Sequence, residues 1–380
     1  MIFSSEKDTS NDDRAVAKAY EPSISPSAKE DAVTPKKQTL NLNSIINLSD
    51  FETAASQLLP PKSFAFFKAG IDDETTTQWN QLSWHSVQLR PPRSPPNKHI
   101  SLSTTILDTP CSAPFFIAPA GAGKLAHPTG EILMTAAAAQ QGVLQWVCNM
   151  AGCSMQEMAN ARGEGQALFW QIYEMNDLKV TEREVRRAVE LGYRGFALTV
   201  DAVRMGNRER DLRLNIEEEE EDADDGKTNG GISSIRPPVY DRFDWVYAFK
   251  WLLTLTTLPI FIKGIQTWED AKLCMENGVH PYLSNHGGRQ LNGAPSALET
   301  LLEIREHCPE VLEKCDVIVD GGFRRGTDVV KALCLGAKAG GLGRPFLYSL
   351  VWGKMGVSRA IRILRQEVET TMALLGVERV

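Results

Sequence analysis

No apolar run in this chain reaches about 18 residues, the length a helix needs to span a bilayer, so no membrane-crossing segment is expected. Basic runs and basic-aromatic stripes are also missing, and the net charge is -7, which argues against a nucleic-acid surface. Cysteine is sparse and unpatterned. Cys111, Cys148, Cys153, Cys274, Cys308, Cys315 and Cys334 are odd in number and lack metal-ligand spacing, so no metal site is expected. They read as reduced core thiols of an intracellular protein. No Gly-x-Gly-x-x-Gly follows an early strand, which disfavours a dinucleotide-binding half. The N-terminus turns polar within Met1 to Asp8, too soon for a signal peptide. The last residues, Glu378-Arg379-Val380, are not a peroxisomal address, so the expected location is the cytoplasm.

The chain does have length and apolar content. With 380 residues, 42% of them hydrophobic, it can bury a large core in one big domain or two ordinary ones. Residues 1–38 are rich in Ser, Asp, Glu, Lys and Pro and poor in large apolar side chains, so a disordered tail is expected there. Residues 39–380 form the folded body. From Pro114 onward, short apolar runs alternate with stretches of helical period, the pattern of βα units around a parallel sheet. The expected strands cover 115–119, 144–148, 167–172, 195–200, 259–262, 279–284, 317–319 and 337–342. Eight such units predict an α/β fold of the TIM (β/α)8 barrel type rather than an open doubly wound sheet. A helix is expected over 182–191 with Val185, Ala188 and Val189 on one face, and Thr327 is placed to cap a helix over 328–335. The block from Glu217 to Asp225 repels itself and marks a mobile acidic loop at 214–236.

The most informative segment is Ser284-Asn285-His286-Gly287-Gly288-Arg289-Gln290, directly after an apolar run. An imidazole takes a proton near neutral pH. A guanidinium holds a carboxylate through two parallel hydrogen bonds, and glycines let the backbone turn sharply beside a ligand. A base next to an anion clamp at a strand end is what oxidation of a 2-hydroxy acid needs, and His286 is the candidate general base. The plain alternative is a polar turn with one surface histidine. Glycines and arginines recur in the last two units, at Asp320-Gly321-Gly322-Phe323-Arg324 and Gly343-Arg344, where barrels build phosphate cradles.

Ser284 to Gln290 resembles the signature of the FMN-dependent 2-hydroxy-acid oxidases and dehydrogenases, the family of glycolate oxidase, lactate oxidase and the flavin domain of flavocytochrome b2. The similarity runs in the family's order from about Phe51 to the C-terminus. It includes Leu59-Pro60-Pro61-Lys62, Ile117-Ala118-Pro119-Ala120-Gly121, Trp170-Gln171-Ile172-Tyr173, Thr199-Val200-Asp201, Gly206-Asn207-Arg208 and Ile262-Lys263-Gly264. The resemblance implies a barrel with an N-terminal helical extension, FMN as cofactor, an (S)-2-hydroxy acid as substrate and a homotetramer. No haem-histidine motif occurs in the tail, so reoxidation by oxygen or a soluble acceptor is expected. By the same resemblance Asp201 orients His286, Arg289 and Arg208 clamp the substrate carboxylate, and Tyr173 hydrogen-bonds the substrate. Lys263 stabilises reduced flavin. Pro119, Ala120, Gly121, Cys148, Gln171, Thr199, Asp320, Gly321, Gly322, Arg324, Gly343 and Arg344 complete the cofactor site.

The departures from the family pattern cluster in the pocket. Phe64 stands where a substrate-binding tyrosine is expected, and loss of that hydroxyl weakens the anchor by roughly 0.5–1.5 kcal/mol. Cys148 and Met150 replace a serine and an aromatic, and Gly121 replaces an alanine. Pro281 falls inside a strand, and Gly340-Gly341 replaces apolar residues. They imply a substrate bulkier or less carboxylate-dependent than glycolate or lactate. The rival readings are a repurposed flavin enzyme with an atypical substrate and a non-catalytic FMN-binding barrel.

Overall fold

In a computed structural model, which describes residues 41–92, 99–173, 177–214 and 244–380, eight parallel strands close into a barrel. They are β1 (Phe115–Ile117), β2 (Leu144–Cys148), β3 (Leu168–Ile172), β4 (Phe196–Thr199), β5 (Ile260–Ile265), β6 (His280–Leu283), β7 (Ile318–Asp320) and β8 (Ala339–Leu342). Each pairs with its sequence neighbour, and β8 closes on β1 through Gly340↔Phe115 and Leu342↔Ile117. All eight expected strands are present, with ends displaced by at most three residues. The tail expected at 1–38 lies outside the described residues, as do residues 215–236 of the expected acidic loop. Among the described residues no helix is long and apolar enough to cross a membrane.

The barrel interior is filled by rings. Trp146 meets Phe169 edge-to-face at 4.6 Å between centroids and Phe261 at 5.5 Å, while Phe116 meets Tyr282 at 5.7 Å. This explains the unexpected glycines of β8. A Cβ on Gly341 would lie 2.6 Å from the Phe116 ring, and one on Gly340 3.2 Å from Phe323. Pro281 is accommodated near the start of β6, before pairing with β7 begins at Tyr282.

Among the described residues three α-helices precede the barrel: α1 (Leu48–Leu58), α2 (Pro61–Lys68) and α3 (Thr75–Ser86). Asn47 caps α1 by accepting the N–H groups of Ser49 and Asp50, and Pro61 starts α2 at a position that needs no donor. Two helix expectations need correction. The helix at Leu178–Glu190 buries Val185 and Ala188, but Val189 is 42% exposed, one step of 100° beyond the buried face. The helix at Gly326–Cys334 starts before Thr327, so Thr327 is not its cap; the Asp328 carboxylate instead accepts the N–H groups of Arg324 and Arg325, both at 3.0 Å. None of the seven cysteines forms a disulfide, but Cys334 is exposed rather than in the core.

Helix α3 lies flush against the loop after β7. A Cβ on Gly322, whose φ is +84°, would stand 1.8 Å from the Asn80 carbonyl oxygen. Strained backbone and a collision with a helix act together here. Gly322→Ala is therefore expected to destabilise the protein by about 3 kcal/mol or more, read as a lower thermal midpoint; an unchanged midpoint would mean α3 is not seated against this loop.

Candidate active site

At the C-terminal ends of the strands lies a cavity of about 360 Å³. Most of the residues singled out from the sequence line it: Pro119, Ala120 and Gly121 after β1, Cys148 from β2, Tyr173 after β3 and Arg208 beyond β4. Lys263, His286, Arg289, Asp320, Gly321, Gly322, Arg324, Gly343 and Arg344 complete that group. Asp201, Gln171 and Thr199 are not among the lining residues.

His286 follows β6 in a left-handed conformation, φ +59°, an uncommon geometry for a residue with a side chain. Its N–H donates to Ser284 Oγ at 3.1 Å. The turn brings Nδ1 to 2.8 Å from Oδ1 of Asp201, a side chain only 1% exposed, and puts Nε2 3.5 Å from the Tyr173 hydroxyl. Asp201 fits because β5 is bulged between Lys263 and Ile265. At the bulge Gly264 has φ +106°, and a Cβ there would lie 2.7 Å from the Asp201 side chain. Burial holds the His286 pKa below 6.5 against the opposing pull of Asp201. Burial also pushes the Asp201 carboxyl up, yet His286 and Lys263 beside it bring it below the usual carboxylate value. The pair at neutral pH is thus a carboxylate accepting Nδ1–H from a neutral imidazole whose Nε2 can accept a proton.

The cavity is strongly cationic. Arg208, Lys263, Arg289, Arg324 and Arg344 line it against one carboxylate, Asp320. Arg208 is only 6% exposed. Arg289 and Arg344 converge on the end of α2. Arg289 Nη1 donates to the carbonyls of Phe66 and Ala69, each at 2.9 Å, and its guanidinium lies 5.2 Å from the Phe66 ring centroid. Arg344 Nε and Nη2 donate to Phe67 and Ala69, and Nη1 to Gly287. Both use the negative end of the helix, and burial, with the neighbouring arginines, lowers the pKa of Arg289 well below the usual value.

The altered pocket residues now have positions. Phe64 does not line the cavity; it packs on Tyr348 at 5.9 Å. From α2 the wall takes Phe66, two residues and about 200° further round the helix, and Phe67. Gly121 leaves no room for the alanine expected there, since a Cβ would lie 2.4 Å from the Met150 carbonyl oxygen. Met205 and Leu347 also line the cavity and carried no sequence signal, and Phe323, also on the wall, was quoted only within its glycine-arginine segment. Ser284, buried, was quoted only as part of the motif, yet it bonds Lys263, Asp320 and the His286 N–H.

A family model described as FMN-dependent dehydrogenase matches residues 55–380. The chain belongs to this family. It is 40% identical over 347 residues to an L-lactate dehydrogenase (cytochrome) of Wickerhamomyces anomalus, covering 89% of this chain and 60% of that one. It is 38% identical to glycolate oxidase 1 of Zea mays, covering 88% and 93%. A solved mutant of flavocytochrome b2 with pyruvate bound superposes with a TM-score of 0.82 at 37% identity, covering 89% of this chain and 85% of that one. The cofactor is FMN, and the cavity fits it. Its cationic wall suits a phosphate, and Gln171 Oε1 is a buried acceptor with no protein partner beside Thr199, whose hydroxyl accepts Gln171 Nε2 at 2.8 Å. Among the described residues no cluster could hold a metal ion.

Proposed function

We propose that this FMN-dependent enzyme oxidises a 2-hydroxy acid to the 2-keto acid. The observation that carries the reading is the His286–Asp201 pair on the same cavity as Arg208 and Arg289. When bound, FMN supplies the two-electron acceptor. The chain supplies the rest. Arg208 and Arg289 hold the substrate carboxylate and fix C2 in place, and the Phe66, Phe67 and Ala69 carbonyls keep the Arg289 fork from swinging. Tyr173 hydrogen-bonds the substrate oxygen. His286 Nε2 receives the proton, and Asp201 stabilises the imidazolium. Lys263, buried and lining the cavity, would stabilise the negative charge of the reduced cofactor. Oxygen or a soluble acceptor completes the cycle.

Phe66, Met150, Met205 and Leu347 give the cavity apolar wall. A 2-hydroxy acid with a larger apolar side chain suits it better than glycolate. A series of (S)-2-hydroxy acids should show kcat/KM rising with apolar side-chain size, and glycolate as the best substrate would contradict this. Because His286 must be neutral to act and its pKa is held below 6.5, kcat/KM should fall only on the acid side, with an apparent pKa below 6.5. An acid limb centred above pH 7 would remove His286 as the base.

A further inference from the structure

Beneath the cavity a phenol is built into the barrel floor. Tyr282, on β6, is fully buried, and its hydroxyl donates to Asp320 Oδ2 at 2.9 Å. Ser284 Oγ donates to the other oxygen, Oδ1, at 2.6 Å, and Lys263 Nζ donates to Ser284 Oγ at 2.9 Å. The Lys263 ammonium stands 3.8 Å from Asp320 Oδ2, beyond hydrogen-bond reach, and 5.3 Å from the centroid of the Tyr282 ring. Burial, followed by Asp320, pushes the Tyr282 phenol well above its usual pKa, so it remains a donor at all working pH values.

Each acceptor oxygen of Asp320 thus has a neutral hydroxyl donor, and the nearest cation is held off. Without the phenol, Oδ2 would be a buried carboxylate oxygen lacking its donor, and the cation within 4 Å would be drawn onto it. The ammonium would then spend its charge on Asp320 rather than on the cavity. We propose that Tyr282 is a positioning residue: by satisfying Asp320 Oδ2 it keeps the Lys263–Asp320 ion pair, now at 3.8 Å, from closing to direct hydrogen-bonded contact, and so sets the midpoint potential of the bound FMN. This rests on the reading that Lys263 faces the cofactor.

The test is a redox titration of FMN-loaded wild type, Tyr282→Phe, Lys263→Met and the double variant. Tyr282→Phe keeps the ring that fills the barrel floor and removes only the hydroxyl. It should weaken binding of reduced relative to oxidised FMN by about tenfold, a fall in midpoint potential of about 30 mV for a two-electron couple. In the Lys263→Met background the same substitution should leave the potential unmoved. An unchanged potential in Tyr282→Phe overturns the proposal, and so does an equal fall with Lys263 absent, because the phenol would then act by some other route. If Tyr282→Phe does not fold, replacement of Tyr282 by 3,5-difluorotyrosine, a stronger donor, should raise the potential; no rise overturns the proposal equally. No hydroxy acid enters the titration, so its result is separate from whether the proposed substrate is turned over.

Discussion

His286→Gln lowers the rate of flavin reduction by about 10²–10⁴-fold, the usual contribution of a positioned general base, and leaves FMN bound. The glutamine amide can still donate to the buried Asp201 carboxylate, so the variant does not strand a charge as alanine would. What it cannot do is accept a proton. Anaerobic stopped-flow reduction separates this step from reoxidation. A loss smaller than tenfold would show that another group takes the proton, and Tyr173, 3.5 Å from Nε2, would be the first to test.

Arg289→Lys lowers kcat/KM on the order of 10²–10³-fold, chiefly through KM, the range expected when one partner of a buried, hydrogen-bonded charge pair is lost. The substitution conserves charge and removes the fork. A lysine can reach either the carbonyls at the end of α2 or the substrate carboxylate, whereas the guanidinium is fixed by Phe66 and Ala69 while it faces the cavity. A thermal melt alongside the kinetics distinguishes loose docking of α2 from loss of the clamp. Kinetics within a few-fold of wild type would assign the carboxylate to Arg208 alone.

The barrel was legible because its strands are short, continuously apolar and separated by helical periods, a pattern set by burial on both faces of a parallel sheet. His286 and its partners were legible for a different reason. Each follows a strand, and a barrel gathers all such positions on one rim. Contacts between segments distant in sequence were not legible. Nothing local in Phe64-Ala65-Phe66 tells which ring faces the cavity; the orientation of α2 decides it. Gly340 and Gly341 looked like a weak strand until Phe116 and Phe323 were seen to occupy the space their side chains would need. Thr327 was a sound cap by residue type, but Asp328 reaches two backbone donors from inside the helix. Tyr282 read as one more apolar strand residue, because a buried hydroxyl shows its purpose only when its partner, 38 positions away, is in view.

The measurement that bears most directly on the account is anaerobic mixing of the FMN-loaded protein with a panel of (S)-2-hydroxy acids of increasing side-chain size, followed by flavin absorbance. The account predicts bleaching, fastest with a large apolar side chain and nearly abolished in His286→Gln. Bound FMN that no 2-hydroxy acid bleaches would contradict it.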